Sequence, residues 1–231
     1  MSDNGESTST FSRRGRTARK AAIAGAAVIA VAAGTASAAG ATDARSHGRP
    51  AAAPAAVAQP GLGSAKLVQS EDFFQQGLAP VGATVDLTGK QALSACSGEE
   101  TMRALTKGKA AAYADVSWTF DTAGTFLTES VADGATVASA VSYEKQLNRL
   151  VRDCQNEPAG HWHYGAGHSL TVQGGEATWY PSFNGDGAVS GGAVVIRAGH
   201  DFGILELTGQ PTDDPGYIKG IAAAATKRLA G

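Results

Sequence analysis

The sequence has 231 residues, of which 17% are charged, and its formal net charge is −2. Five of the 19 basic residues and two of the 21 acidic residues fall within the first 38 positions, which leaves a net charge of −5 on the remainder. A mildly acidic chain with scattered charges excludes a protein that binds nucleic acid through a basic surface.

Residues 1–38 have the organisation of a secretory signal peptide. A basic segment precedes the uncharged run 21–34, and the small residues ASA at 36–38 form a cleavage site. The run is shorter than the roughly 20 apolar residues that a membrane-spanning helix needs. We therefore expect an exported, extracellular protein that is not membrane-embedded. The pair Arg13 and Arg14 leaves both the Sec route and the twin-arginine route open.

Residues 39–66 are rich in Ala, Pro and Gly, which predicts a disordered linker. The remainder, 67–231, is long enough for one domain with a sizeable core. Its two cysteines, Cys96 and Cys154, most simply form a disulfide outside the cell, and two free thiols are the alternative.

The first elements of this domain are a short helix and a β-hairpin. Ser97 and Glu100 match a capping box, which predicts a helix of about ten residues between Cys96 and Gly108. Alternating apolar residues on both sides of the turn at 121–124 predict the hairpin.

The second half of the domain contains a long helix, a run of strands and a closing helix. Apolar residues at three-to-four spacing predict a helix over 135–154, and a last helix begins near Pro215. A period of two predicts strands near 161–165, 168–173, 176–183, 192–198 and 202–208. We therefore expect an α+β fold, with an antiparallel sheet of about five to seven strands and two or three helices packed on one face.

Three segments resemble a known family. They are LNRLVRDC at the end of the long helix, HWHYG in the strand after it, and IAAAATKRL in the closing helix. In this order they are similar to PknH-like extracellular sensor domains, which occur on receptor kinases and as free exported proteins. The resemblance implies an antiparallel sheet with helices on it and a cleft for a ligand. The family usually carries a further disulfide, which two cysteines cannot supply, and the chain contains no kinase region.

The hairpin supplies two candidate ligand-binding residues, Trp118 and Glu129. If Phe120 faces Thr125, Glu129 lies in the apolar row beside Trp118. Burial there would raise the pKa of the carboxyl, which is typical of a functional site. The alternatives are a Glu129 that reaches water at the sheet edge, or a register that is off by one residue.

Three further candidates lie in the second half of the sheet. Trp162 points to the face opposite its flanking histidines, and Tyr180 lies on the face opposite Trp179 and is a candidate to line the cleft. Arg197 is placed either to pair with Glu206 across a hairpin or to bind an anionic ligand.

The stretch HWHYGAGH raises the question of a metal site. His161 and His163 point to one face of a strand, and His168 follows a Gly-x-Gly bend, so zinc or copper binding is one interpretation. Exposed histidines beside a core tryptophan are the other.

The sequence contains no motif that marks a catalytic residue and no motif that marks a cofactor site. We expect an extracellular binding or sensor module that holds a small molecule or a cell-envelope component in a cleft. A membrane signalling protein is a possible partner. The alternatives are a secreted metal-binding protein and an exported hydrolase whose catalytic groups meet only in the folded chain.

Overall fold

The computed structural model describes residues 62–74, 76–122, 124–209 and 215–231. The signal peptide, the linker as far as residue 61 and the cap that precedes the last helix lie outside these residues. No helix in the described ranges is long and apolar enough to cross a membrane.

Eight antiparallel strands form one sheet, which confirms the α+β class and slightly exceeds the predicted number of strands. The strands lie in the order β1-β2-β3-β8-β7-β6-β4, and β5 pairs with β6 on the same edge as β4. The strands are β1 (Pro80–Asp86), β2 (Ala112–Phe120), β3 (Phe126–Asp133), β4 (His163–Tyr164), β5 (His168–Leu170), β6 (Glu176–Phe183), β7 (Val189–Ala198) and β8 (Asp201–Thr208).

The described α-helices cover both faces of the sheet, so the prediction that they pack on one face is wrong. They are α1 (Ser70–Phe74), α2 (Met102–Leu105), α3 (Val137–Asp153) and α4 (Pro215–Ala230). Along β7, Val194 and Ile196 pack with α1 and α4, whereas Ala193 and Val195 pack with α2 and α3. Because successive side chains of a strand point to opposite faces, the sheet is the middle of three layers. We call these faces the α4 face and the α3 face.

The central hairpin has the predicted register. Val116 lies opposite Glu129, and Trp118 lies opposite Leu127. The alternation of apolar and polar residues was sufficient to place this pairing, since a shift of one residue would move the apolar row to the other face of the sheet.

Two local predictions were wrong. Ser97 and Glu100 do not cap a helix, because 94–100 form turns in which the Ser97 hydroxyl accepts from the backbone N–H of Ser94. The helix is α2, only four residues long, and the Thr101 side chain caps it by accepting from the N–H of Ala104.

The predicted linker extends too far towards the domain. Residues 62–66 belong to the folded body, since Leu62 is buried and Ser64–Lys66 forms a 3₁₀ turn. The Lys66 amino group donates to the carbonyl oxygen of Leu229 over 2.9 Å and so ties this segment to α4.

Cys96 and Cys154 form a disulfide, with their Cα atoms 6.1 Å apart. The bond joins the turns before α2 to the end of α3, as the cysteine count predicted. It therefore fastens two segments on the α3 face that are 58 residues apart in the sequence.

Candidate functional site

A cleft of about 970 Å³ lies between α4, the N-terminal segment (63–74 and Gln76) and the chain that follows β5. Its residues on α4 include Gly220, Ala223 and Ala224, which recur at the three-to-four spacing of one helix face. The large apolar residues of α4 point to the opposite side, into the core. A side chain at Gly220 would meet the amide end of Gln76, so this position of α4 faces the N-terminal segment. Small residues thus leave the space that larger ones would fill.

Three cationic side chains line the cleft. Arg228 bonds through Nε to Asp72 Oδ2 over 2.6 Å and through Nη2 to Glu71 Oε1 over 2.9 Å. Lys66 Nζ lies 3.3 Å from Asp201 Oδ2. Lys227 is exposed and forms no ion pair with another described residue. Asp72, the acidic residue of this lining, offsets Arg228, so Lys227 is the cation of the cleft that no described carboxylate offsets.

Glu129 and Trp118 lie on the α4 face, beneath the N-terminal segment. Glu129 is fully buried, and its Oε2 accepts from the N–H of Val68 over 2.7 Å. Burial raises the pKa of this carboxyl to about 8. The indole of Trp118 meets the ring of Phe73 edge to face, with centroids 5.1 Å apart. Neither residue lines the cleft, although both support the segment that forms its wall.

The other three candidate ligand-binding residues lie on the α3 face. Tyr180 lines a separate cavity of about 460 Å³ with Lys145 and Arg152, and its hydroxyl donates to Asn148 Oδ1 over 2.8 Å. Trp162 is half-buried and donates from Nε1 to Ser190 Oγ over 3.0 Å. The five predicted residues are therefore divided between two faces and do not form one site.

The expected ion pair between Arg197 and Glu206 is absent, so that prediction was wrong. Arg197 pairs with Glu144 over 2.7 Å and with Glu176 over 2.6 Å. Glu206 lies opposite Ala193, too far along the hairpin to meet Arg197. It accepts instead from the Tyr164 hydroxyl over 2.6 Å.

The structure does not gather the histidines of HWHYGAGH. His161 is exposed near Glu157, His163 stacks on the ring of Phe183, and His168 is exposed. Within the described residues, the group of three whose ligand atoms lie within 4.8 Å of one another is Asp133, His200 and Asp201.

Sequence reasoning missed both the cleft and this group. The signal for the cleft is the row of small residues on the side of α4 that faces away from the core. His200 and Asp201 lie at the β7–β8 connection, and their link to Asp133 depends on a strand pairing that local patterns do not reveal.

Comparison with known proteins adds a structural likeness. No protein-family model matches the chain. No curated protein matches its sequence. The fold resembles the extracellular domain of PknH from Mycobacterium tuberculosis, with a TM-score of 0.48 and 12% identity over 72% of this chain and 93% of that one. This is a resemblance of structure, and no ligand, partner or activity follows from it.

Proposed function

We propose that this chain is an extracellular binding module that holds a small amphiphilic molecule with an acidic group in the cleft beside α4. The observation that carries the proposal is the cleft itself. Its volume of about 970 Å³ falls within the range of roughly 300–1,000 Å³ typical of small-molecule sites.

The lining supports this ligand chemistry. Val172 and the alanines of α4 offer an apolar surface, while Lys227 offers a positive charge that no described carboxylate offsets. An acyl or other apolar body would lie along α4 with its acidic group at Lys227. Cell-envelope components include molecules of this kind.

The placement of the buried carboxyl groups supports binding without turnover. The buried carboxyl groups of β2 and β3, Asp115 and Glu129, lie on opposite faces of the sheet and cannot act as a paired acid and base.

The disulfide supports an extracellular location, since such bonds persist in oxidising surroundings. Transfer of a signal would then require a partner, and a membrane signalling protein is the one we propose.

Calorimetric titration with dodecanoate tests the proposal, with dodecanol as the uncharged comparison. We expect dodecanoate to bind more tightly. Ala224→Trp should raise the Kd at least about tenfold, because the indole fills the cleft. Lys227→Glu should raise it about fivefold, the equivalent of roughly 1 kcal/mol.

Matched controls keep this experiment specific. Ala138→Trp places the same side chain on an exposed position of α3, and Lys109→Glu reverses an exposed charge away from the cleft. Both should bind dodecanoate like the unaltered protein. Equal losses in the control variants, or no binding by the unaltered protein, would contradict the proposal.

A further inference from the structure

Two aspartates face each other directly across the sheet. Asp133 at the end of β3 pairs in register with Asp201 at the start of β8, so their side chains share one face. The side chain of Asp201 is only 4% exposed and that of Asp133 is 25% exposed. Like charges directly opposite in a ladder repel each other, and a cation bound between the two carboxylates would relieve this repulsion.

The groups around the aspartates converge on one point. His200 Nδ1 lies 2.9 Å from Asp133 Oδ1 and 3.2 Å from Asp201 Oδ1. Lys66 approaches the other oxygen of Asp201, Oδ2, at 3.3 Å. Asp201 Oδ1 is buried and accepts no hydrogen bond from a described residue. A buried carboxylate oxygen without a donor, facing an imidazole and a second carboxylate, is typical of a metal ligand.

We infer that Asp133, His200 and Asp201 bind a divalent transition-metal ion, with zinc as the best fit. Zinc bonds of roughly 2.0–2.2 Å at near-tetrahedral angles place neighbouring ligand atoms about 3.3–3.6 Å apart. The 3.2 Å between His200 Nδ1 and Asp201 Oδ1 is close to this spacing, whereas the 2.9 Å hydrogen bond between His200 Nδ1 and Asp133 Oδ1 would lengthen when a metal ion binds. One imidazole nitrogen with two carboxylate oxygens suits zinc better than calcium or magnesium, which prefer oxygen alone. The exposed His200 leaves the fourth position open to water.

The backbone holds these ligands in place. The N–H of Gly134 donates to the carbonyl oxygen of His200 over 2.9 Å, which ties the β7–β8 turn to the end of β3. The N–H of Ala135 donates to Asp133 Oδ1 over 2.7 Å and orients that carboxylate. A metal ion would therefore meet a set of ligands that is already arranged.

Titration of the full chain with zinc chloride, together with cobalt(II) absorption as a probe of geometry, tests this inference. We expect one equivalent of zinc and a tetrahedral cobalt spectrum. His200→Ala should weaken zinc binding at least about a hundredfold, since even residues that only hydrogen-bond to a metal ligand contribute roughly 10–100-fold to metal affinity. His200 is exposed, so the His200→Ala variant should fold. Asp201→Asn is a second test of the same site, at a ligand that is buried.

The double variant His161→Ala/His163→Ala is the control, because it removes the histidines of HWHYGAGH and leaves the three ligands intact. It should bind zinc like the unaltered chain. Absence of zinc binding by the unaltered chain, equal binding by His200→Ala, or a loss confined to the control would each overturn the inference.

Discussion

Glu129 shows how a single buried side chain contributes to the pH dependence of the domain's stability. Its carboxyl has a pKa of about 8 in the folded chain, against an ordinary value of 4.5, because it is removed from water. Between these values the folded state holds a proton that the unfolded state has released. The free energy of unfolding therefore falls as the pH rises through this window, by about 1.4 kcal/mol per pH unit from this group.

Glu129→Gln should remove this contribution, because the amide is neutral at every pH and its oxygen can still accept from Val68. We expect similar stability at pH 5 and a variant more stable than the unaltered protein by several kcal/mol at pH 8. Urea unfolding at four pH values between 5 and 8 measures the difference. The exposed Glu99→Gln is the control. Parallel curves for Glu129→Gln and the unaltered protein would show that Glu129 is not the group responsible.

Among the secondary-structure elements, local sequence patterns predicted the pairing of the central strands. They did not predict which face of the sheet each helix covers. The β2–β3 register followed from alternation, because one face of that hairpin is apolar. The strand β1 was not predicted, since most of its residues are exposed and show no apolar row. That α3 and α4 cover opposite faces could not be read from chain order. Lys66 meets α4 across 163 residues, so the cleft was also beyond any local pattern.

The close fit between β6 and β7 depends on Gly192. A Cβ at this position would collide with the indole of Trp179 and with the carbonyl oxygen of Tyr180. Trp179 is fully buried, and backbone cannot move aside cheaply, so Gly192→Ala should lower the free energy of unfolding by about 1–3 kcal/mol. Gly63→Ala is the control, because nothing lies within 4 Å of the added carbon. Equal urea midpoints for the two variants would mean that the sheet relaxes around the methyl group.

For the molecule as a whole, the three-layer arrangement places the disulfide and the cleft on opposite faces of the sheet. The disulfide fastens the α3 face and closes a loop of 58 residues, whereas the cleft lies on the α4 face. Removal of a disulfide that closes a loop of this length lowers the free energy of unfolding by about 4 kcal/mol. We therefore expect Cys96→Ser/Cys154→Ser to show that loss in urea, while its dodecanoate Kd in buffer, measured on the folded fraction, changes less than about twofold. Lys227, on the α4 face, provides the comparison, since Lys227→Glu should weaken binding while leaving the disulfide intact. A double serine variant that folds but binds dodecanoate tenfold more weakly would show that the sheet transmits the constraint from one face to the other.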